Sequence, residues 1–140
     1  MTELPKIDLI CIYQVIAGHE LKRLDWTPDK NKSVFGKCAG PHGHDYKIEL
    51  FLTGTIDAET GLVINGYDVD AIVQPFLDQN VDHKFLNTDI AFFKTHQPTA
   101  EWIAVWIFTE LAPRFPKHVT LKKIRVFETQ NLAAEYPVAG

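Results

Sequence analysis

His42 and His44 stand two residues apart at the start of a segment that alternates in polarity. A strand turns successive side chains to opposite faces, so residues two apart present their imidazoles to the same side. Two such nitrogens can share one metal ion, and His19, at the end of an earlier apolar segment, is placed to add a third. Three imidazoles leave a tetrahedral zinc one open position, which distinguishes a catalytic site from a closed structural one. Imidazole also suits copper, iron and nickel. Taken singly, each of these histidines is more commonly a surface or turn residue, and an i, i+2 pair also arises by chance.

Cys38 lies between Gly36 and Gly40, four residues before His42. Two chemistries fit it: a fourth ligand closing a structural site, or a thiolate beside the metal, where a nearby cation lowers the thiol pKa and makes it a usable base. A loop cysteine with no role is the plain alternative. Cys11 sits in an apolar stretch and reads as a small buried hydrophobe. Asp82-His83 is an adjacent acid–base pair in which a carboxylate can orient the imidazole. Neighbours in a strand point apart, so this pair requires a turn. Glu128, near the end of the last apolar segment, is either a solvent-facing charge or a two-point acceptor for a guanidinium-like ligand edge. His96 and His118 have no companions and read as surface residues.

These residues must be carried by a small set of elements. Ile7–Ala17, rich in β-branched and aromatic residues, predicts a buried strand that His19 closes. Residues 22–41, with Pro28, Gly36, Gly40 and Pro41, read as a long loop. His44–Thr53 alternates, with His44, Tyr46, Ile48, Leu50 and Leu52 on one face, as in a half-solvated antiparallel strand. Thr55–Gly61 reads as a turn and Leu62–Ile64 as its returning hairpin partner. Asp68–Gln79 has helical spacing, with a kink or break expected at Pro75. Thr99 caps a second helix through Leu111, and Val119–Phe127 is a last strand. The order predicts an α+β fold with an antiparallel sheet and helices on one face.

Size and charge narrow the function. A chain of 140 residues fits one domain, 1–140, and can bury a core without staples. Fourteen Lys and Arg against eighteen Asp and Glu give a net charge of −4 and no basic block, which argues against nucleic acid and against a polybasic membrane anchor. Only two cysteines, and a start without a basic signal-peptide region, point to the reducing cytoplasm. No apolar run is long enough to span a bilayer.

The chain resembles the family of 6-pyruvoyltetrahydropterin and 6-carboxytetrahydropterin synthases from about Ile7 to Tyr136. The motifs stand in order: Ala17-Gly18-His19-Glu20-Leu21, Phe35-Gly36-Lys37-Cys38, His42-Gly43-His44-Asp45-Tyr46, Gly61-Leu62-Val63, Asp82-His83-Lys84-Phe85-Leu86-Asn87, Pro98-Thr99-Ala100-Glu101 and Phe127-Glu128-Thr129. The resemblance implies that His19, His42 and His44 bind Zn2+. It implies that Cys38 is the catalytic base, that Asp82 and His83 complete a Cys–Asp–His relay, and that Glu128 anchors a pterin in a pocket lined by Thr99. It further implies the tunnelling fold: a four-stranded antiparallel sheet with two helices on one face, closing into a β-barrel on oligomerisation. The expected assembly is a homohexamer, a dimer of trimers, with active sites at subunit interfaces.

The implied substrate is 7,8-dihydroneopterin triphosphate, and two sister reactions share the site. The spacing Cys38-x-x-x-His42-x-His44 resembles the branch that forms 6-carboxy-5,6,7,8-tetrahydropterin, acetaldehyde and triphosphate on the queuosine route. Asn65 looks more like the branch that forms 6-pyruvoyltetrahydropterin towards tetrahydrobiopterin, and Gly66-Tyr67 after it is unusual. The carboxy-forming lyase is the favoured expectation and the pyruvoyl-forming one the alternative. A non-catalytic zinc- or pterin-binding module is a third reading, but a pure binder would have no need of Cys38, Asp82 and His83 together.

Overall fold

The computed structural model describes residues 3–138. Its frame is a long antiparallel pair, β1 (Lys6–His19) and β2 (His42–Thr55), in register from Lys6 opposite Thr55 to His19 opposite His42. Alternation along both strands puts Tyr13, Val15 and Ala17, with Tyr46, Ile48, Leu50 and Leu52, into one buried face. Ile10, Ile12 and Ile16 stand exposed on the other face of β1.

The remaining elements build around this pair. A helix α1 (Pro28–Phe35) and a 3-10 turn (Gly36–Ala39) lead into β2. A helix α2 (Gly66–Asn80) follows, then a two-residue strand β3 (Lys84–Phe85), a single turn α3 (Leu86–Asp89) and the helix α4 (Ala100–Leu111). Two strands end the chain, β4 (Thr120–Thr129) and β5 (Leu132–Tyr136), and the sheet order is β3-β1-β2-β4-β5. Helices α2 and α4 meet through Phe76 and Trp106, with ring centroids 5.4 Å apart. Their buried residues join those of β1, β2 and β4 in one hydrophobic cluster.

The α+β class with helices on one face stands, three details differ from expectation, and of the kink or break expected at Pro75 the break does not occur. The sheet has five strands, not four, and is not wholly antiparallel, because β3 runs parallel to β1 through Ala17–Lys84 and Gly18–Phe85. The long loop contains α1: Thr27 accepts a hydrogen bond from the Lys30 amide and Pro28 sits at the first helical position, where its missing N–H costs nothing. Leu62–Ile64 forms no strand; Val63 and Ile64 are buried, and Leu62 makes a backbone bond to Asp57. Pro75 does not break α2. It and Ala71, whose carbonyl it leaves without a helical partner, are both exposed, so water can satisfy that oxygen.

The segment Asn65-Gly66-Tyr67 has a local explanation. Asn65 is the N-cap of α2 and its side chain accepts from the Tyr67 amide at 2.9 Å.

Candidate metal centre and active site

The three histidines meet at the end of the β1–β2 pair. His19 lies directly opposite His42, and His44 opposite Ala17, so all three imidazoles share the helix-covered face on which Tyr46 and Ile48 continue into the core. Gly18 allows the close approach that this needs: a Cβ there would stand 3.2 Å from the Phe85 ring and 3.4 Å from the His42 carbonyl. Ring centroids are 4.4 Å apart for His19–His42, 5.0 Å for His19–His44 and 4.9 Å for His42–His44. Each ring offers one nitrogen, and these three atoms lie within 4.8 Å of one another.

The hydrogen bonds settle which nitrogens face inward. His19 Nδ1 lies 2.7 Å from the Pro98 carbonyl and His42 Nδ1 2.7 Å from the Gly40 carbonyl. A carbonyl only accepts, so both Nδ1 atoms carry a proton, and the neutral tautomer consistent with this keeps the lone pair on Nε2. This is the arrangement in which an outer partner orients a ligating imidazole. His44 Nε2 is buried without a hydrogen-bond partner among the described residues. Such an orphan is costly in an apolar core, and here it points to a ligand. Burial lowers the His19 pKa from its ordinary 6.5 to about 4, opposed by the Pro98 carbonyl. Burial also lowers that of His44, with the Glu128 carboxylate opposing. Three imidazoles in so tight a cluster fit a metal ion.

A pH dependence follows. With the His19 pKa depressed, the unfolded chain binds more protons than the folded one between about pH 6.5 and 4. Stability of the metal-free protein is therefore full above the upper value and falls as pH drops through that window. Protons also compete with the ion for the same nitrogens. We expect metal release and a lowered melting temperature over this range, checked by metal analysis and thermal melts from pH 7 to 4.

Two further groups lie near the triad, and Cys38 precedes His42 by four residues. Glu128, on β4, brings Oε1 to 3.5 Å from His19 Nε2 and 3.8 Å from His44 Nε2. The Tyr46 hydroxyl is 3.3 and 3.4 Å from the two His19 ring nitrogens. Burial pushes its pKa up, helped by Glu128 and then Cys38, so it stays a neutral phenol. Cys38 is not one of the clustered donors. It sits on the 3-10 turn, half-buried, and its carbonyl accepts from the Leu21 amide at 2.8 Å, two residues beyond His19.

Asp82 and His83 lie apart, on the turn that leads into β3. Asp82 accepts from the Ile16 amide at 2.9 Å, and the His83 amide donates to the Ile16 carbonyl at 2.6 Å. His83 Nδ1 stands 2.9 Å from Asp82 Oδ2, with the imidazole 74% exposed. The turn brings these neighbours together, with His83 at φ 60°. The Ile16 amide, and after it the His83 imidazole, hold the Asp82 carboxyl below its usual range. Within one chain the pair shares hydrogen bonds with β1 and none with Cys38 or the histidines. Thr99 uses its hydroxyl to cap α4, accepting from the Trp102 amide, next to the Pro98 carbonyl that orients His19.

Sequence reasoning missed Tyr46, Pro98 and Gly40 as parts of the site. Tyr46 was readable, since it continues the His42–His44 face two residues on. Carbonyl partners leave no mark in side-chain identity.

Among the described residues, no helix is long and apolar enough to cross a membrane. The model of the family described as 6-pyruvoyl tetrahydropterin synthase matches residues 13–138. A 6-pyruvoyl tetrahydrobiopterin synthase of Homo sapiens is 36% identical over 122 residues, 86% of this chain and 83% of that protein. A 6-carboxy-5,6,7,8-tetrahydropterin synthase of Synechocystis is 31% identical over 105 residues, 72% of this chain and 78% of that protein. The structure of Caenorhabditis elegans 6-pyruvoyl tetrahydropterin synthase superposes with a TM-score of 0.87 at 29% identity, covering 99% of this chain and 100% of that one.

Proposed function

Since the chain belongs to the 6-pyruvoyl tetrahydropterin synthase family, a family of lyases of pterin pathways, we propose that it is a zinc-dependent enzyme converting 7,8-dihydroneopterin triphosphate to 6-pyruvoyltetrahydropterin with loss of triphosphate. The observation that carries an open-site metalloenzyme is the triad itself: two imidazoles with Nδ1 tied to carbonyls, and a third whose buried Nε2 has no hydrogen-bond partner among the described residues. The sequence alone favoured the carboxy-forming reaction. The comparisons favour the pyruvoyl-forming one, because the human enzyme is more alike, over more of the chain, than the cyanobacterial carboxy-forming enzyme.

His19, His42 and His44 would hold the zinc through Nε2. The ion would supply Lewis-acid polarisation of a substrate side-chain oxygen, which acidifies the adjacent C–H. Cys38, outside the donor set, takes a proton from the substrate side chain. Such a positioned base contributes roughly 10²–10⁴-fold. Glu128 accepts two hydrogen bonds from the ring N–H and amino group of the pterin, and so sets which side-chain carbon faces Cys38. Thr99 lines the same pocket. Asp82 and His83 face outward on a single chain, so in this reading they serve the site of a neighbouring subunit. A hexamer of stacked trimers, sited in the cytoplasm, accommodates that.

The deciding experiment incubates the purified, zinc-loaded protein with 7,8-dihydroneopterin triphosphate and identifies the product by mass. We expect 6-pyruvoyltetrahydropterin and triphosphate. Acetaldehyde release with a 6-carboxy product would assign the sister reaction, and an unreacted substrate would leave only a binding module. Glu128→Ala should raise the dissociation constant for a pterin product analogue by about 10-fold or more, for the loss of hydrogen bonds to a charged acceptor. Titration calorimetry checks this, and an unchanged affinity would remove Glu128 from the pterin site.

A further inference from the structure

We propose that Asn87, together with Gln97, is a positioning residue for Cys38. The argument begins where β1 ends. Beyond His19 the chain leaves the sheet, yet the backbone groups of Glu20, Lys22 and Arg23 are engaged by side-chain amides. Asn87 accepts from the Glu20 amide at 2.9 Å and donates to the Glu20 carbonyl at 2.8 Å. Gln97 accepts from the Lys22 amide at 3.2 Å and donates to the Lys22 carbonyl at 2.7 Å. Asn31, buried on α1, does the same for Arg23 at 2.8 and 3.0 Å.

Leu21, between the first two clamped residues, donates its amide to the Cys38 carbonyl. Glu20 and Lys22 thus bond to one side and Leu21 to the other, the alternation of a strand flanked by two partners. Strand β3 pairs with Ala17 and Gly18, and Asn87, on α3 directly after it, continues that pairing with a side chain. Gln97 does so from the residue before Pro98, whose carbonyl orients His19. The Cys38 peptide is therefore referred to His19 through Glu20 and Leu21, on a stretch whose outer edge is held by Asn87 and Gln97. A primary amide presents a donor and an acceptor side by side in one plane, as needed to meet the N–H and C=O of one backbone residue. Alanine at either position frees the edge, and misplacing a reacting group by about 1 Å costs on the order of 10²-fold in rate.

This inference rests on the reading of Cys38 as the base, and the test separates the two. Steady-state kinetics and iodoacetamide labelling are run on the zinc-loaded full chain and on Asn87→Ala, with peptide mass mapping to follow Cys38 and Cys11 separately. The expected result is a kcat lowered by roughly 10²-fold at unchanged KM and unchanged zinc content. The labelling rate of Cys38 should change while that of Cys11 does not. Asn87→Asp keeps the acceptor for the Glu20 amide and should recover part of both. Gln97→Ala, whose bonds are solvent-exposed, should show the same pattern and serves where Asn87→Ala does not fold. Unchanged kcat and unchanged Cys38 labelling would overturn the proposal. So would a kcat loss that tracks zinc loss, which would put the effect on His19. If the unaltered protein shows no turnover, the reaction assignment fails, but the labelling comparison still decides the role of Asn87.

Discussion

His42→Ala should abolish stoichiometric zinc and reduce turnover on the order of 10³-fold or more, since Lewis-acid polarisation at a reacting oxygen supplies several kcal/mol. His42 is the ligand to change first. It is half-buried and its Nδ1 bond goes to the nearby Gly40 carbonyl, so its removal leaves the core intact. His19 is wholly buried and tied to Pro98 across the fold, and its loss would mix metal loss with unfolding. Metal analysis of the purified variant is the measurement, with His96→Ala as the control that keeps its zinc. One zinc per chain in His42→Ala would show that the triad is not the metal site. A folded variant with no zinc and normal turnover would show that the chemistry needs no metal.

Cys38→Ala should behave in the opposite way: full zinc, an unchanged fold, and turnover lowered by roughly 10²–10⁴-fold, the worth of one positioned proton-transfer group. The structural basis is that three histidine nitrogens cluster without Cys38, while the backbone bond from Leu21 ties the Cys38 peptide to the chain just beyond His19. A ligand and a base make different demands. A ligand is missed first in metal content, a base first in kcat. Zinc lost from Cys38→Ala would make the thiol a fourth ligand and close the site, and a closed site offers no coordination position to substrate. Taken together, the two variants separate holding the ion from moving the proton.

Much of this was readable in the chain itself. The period of two in His42-Gly43-His44-Asp45-Tyr46 puts two imidazoles and a phenol on one face wherever the strand lies, because pleating is a local property. Thr99 as a helix cap and the helix to Leu111 are likewise local. Glu128, Cys38 and His19 were legible through an ordered set of motifs, but not by spacing, since they are far apart in sequence.

Only the tertiary structure decided the rest. Register is a pairwise property, and the pairing of His19 with His42 depends on all fourteen residues of each strand. The tautomers of His19 and His42 depend on the carbonyls of Pro98 and Gly40, whose identity as partners no side chain announces. Pro75 passes through α2 because its face is solvent, which is a fact of packing and not of propensity. The separation of Asp82 and His83 from Cys38 is of the same kind. The sequence named the groups that could do the chemistry, and long-range pairing determined which of them meet in one chain.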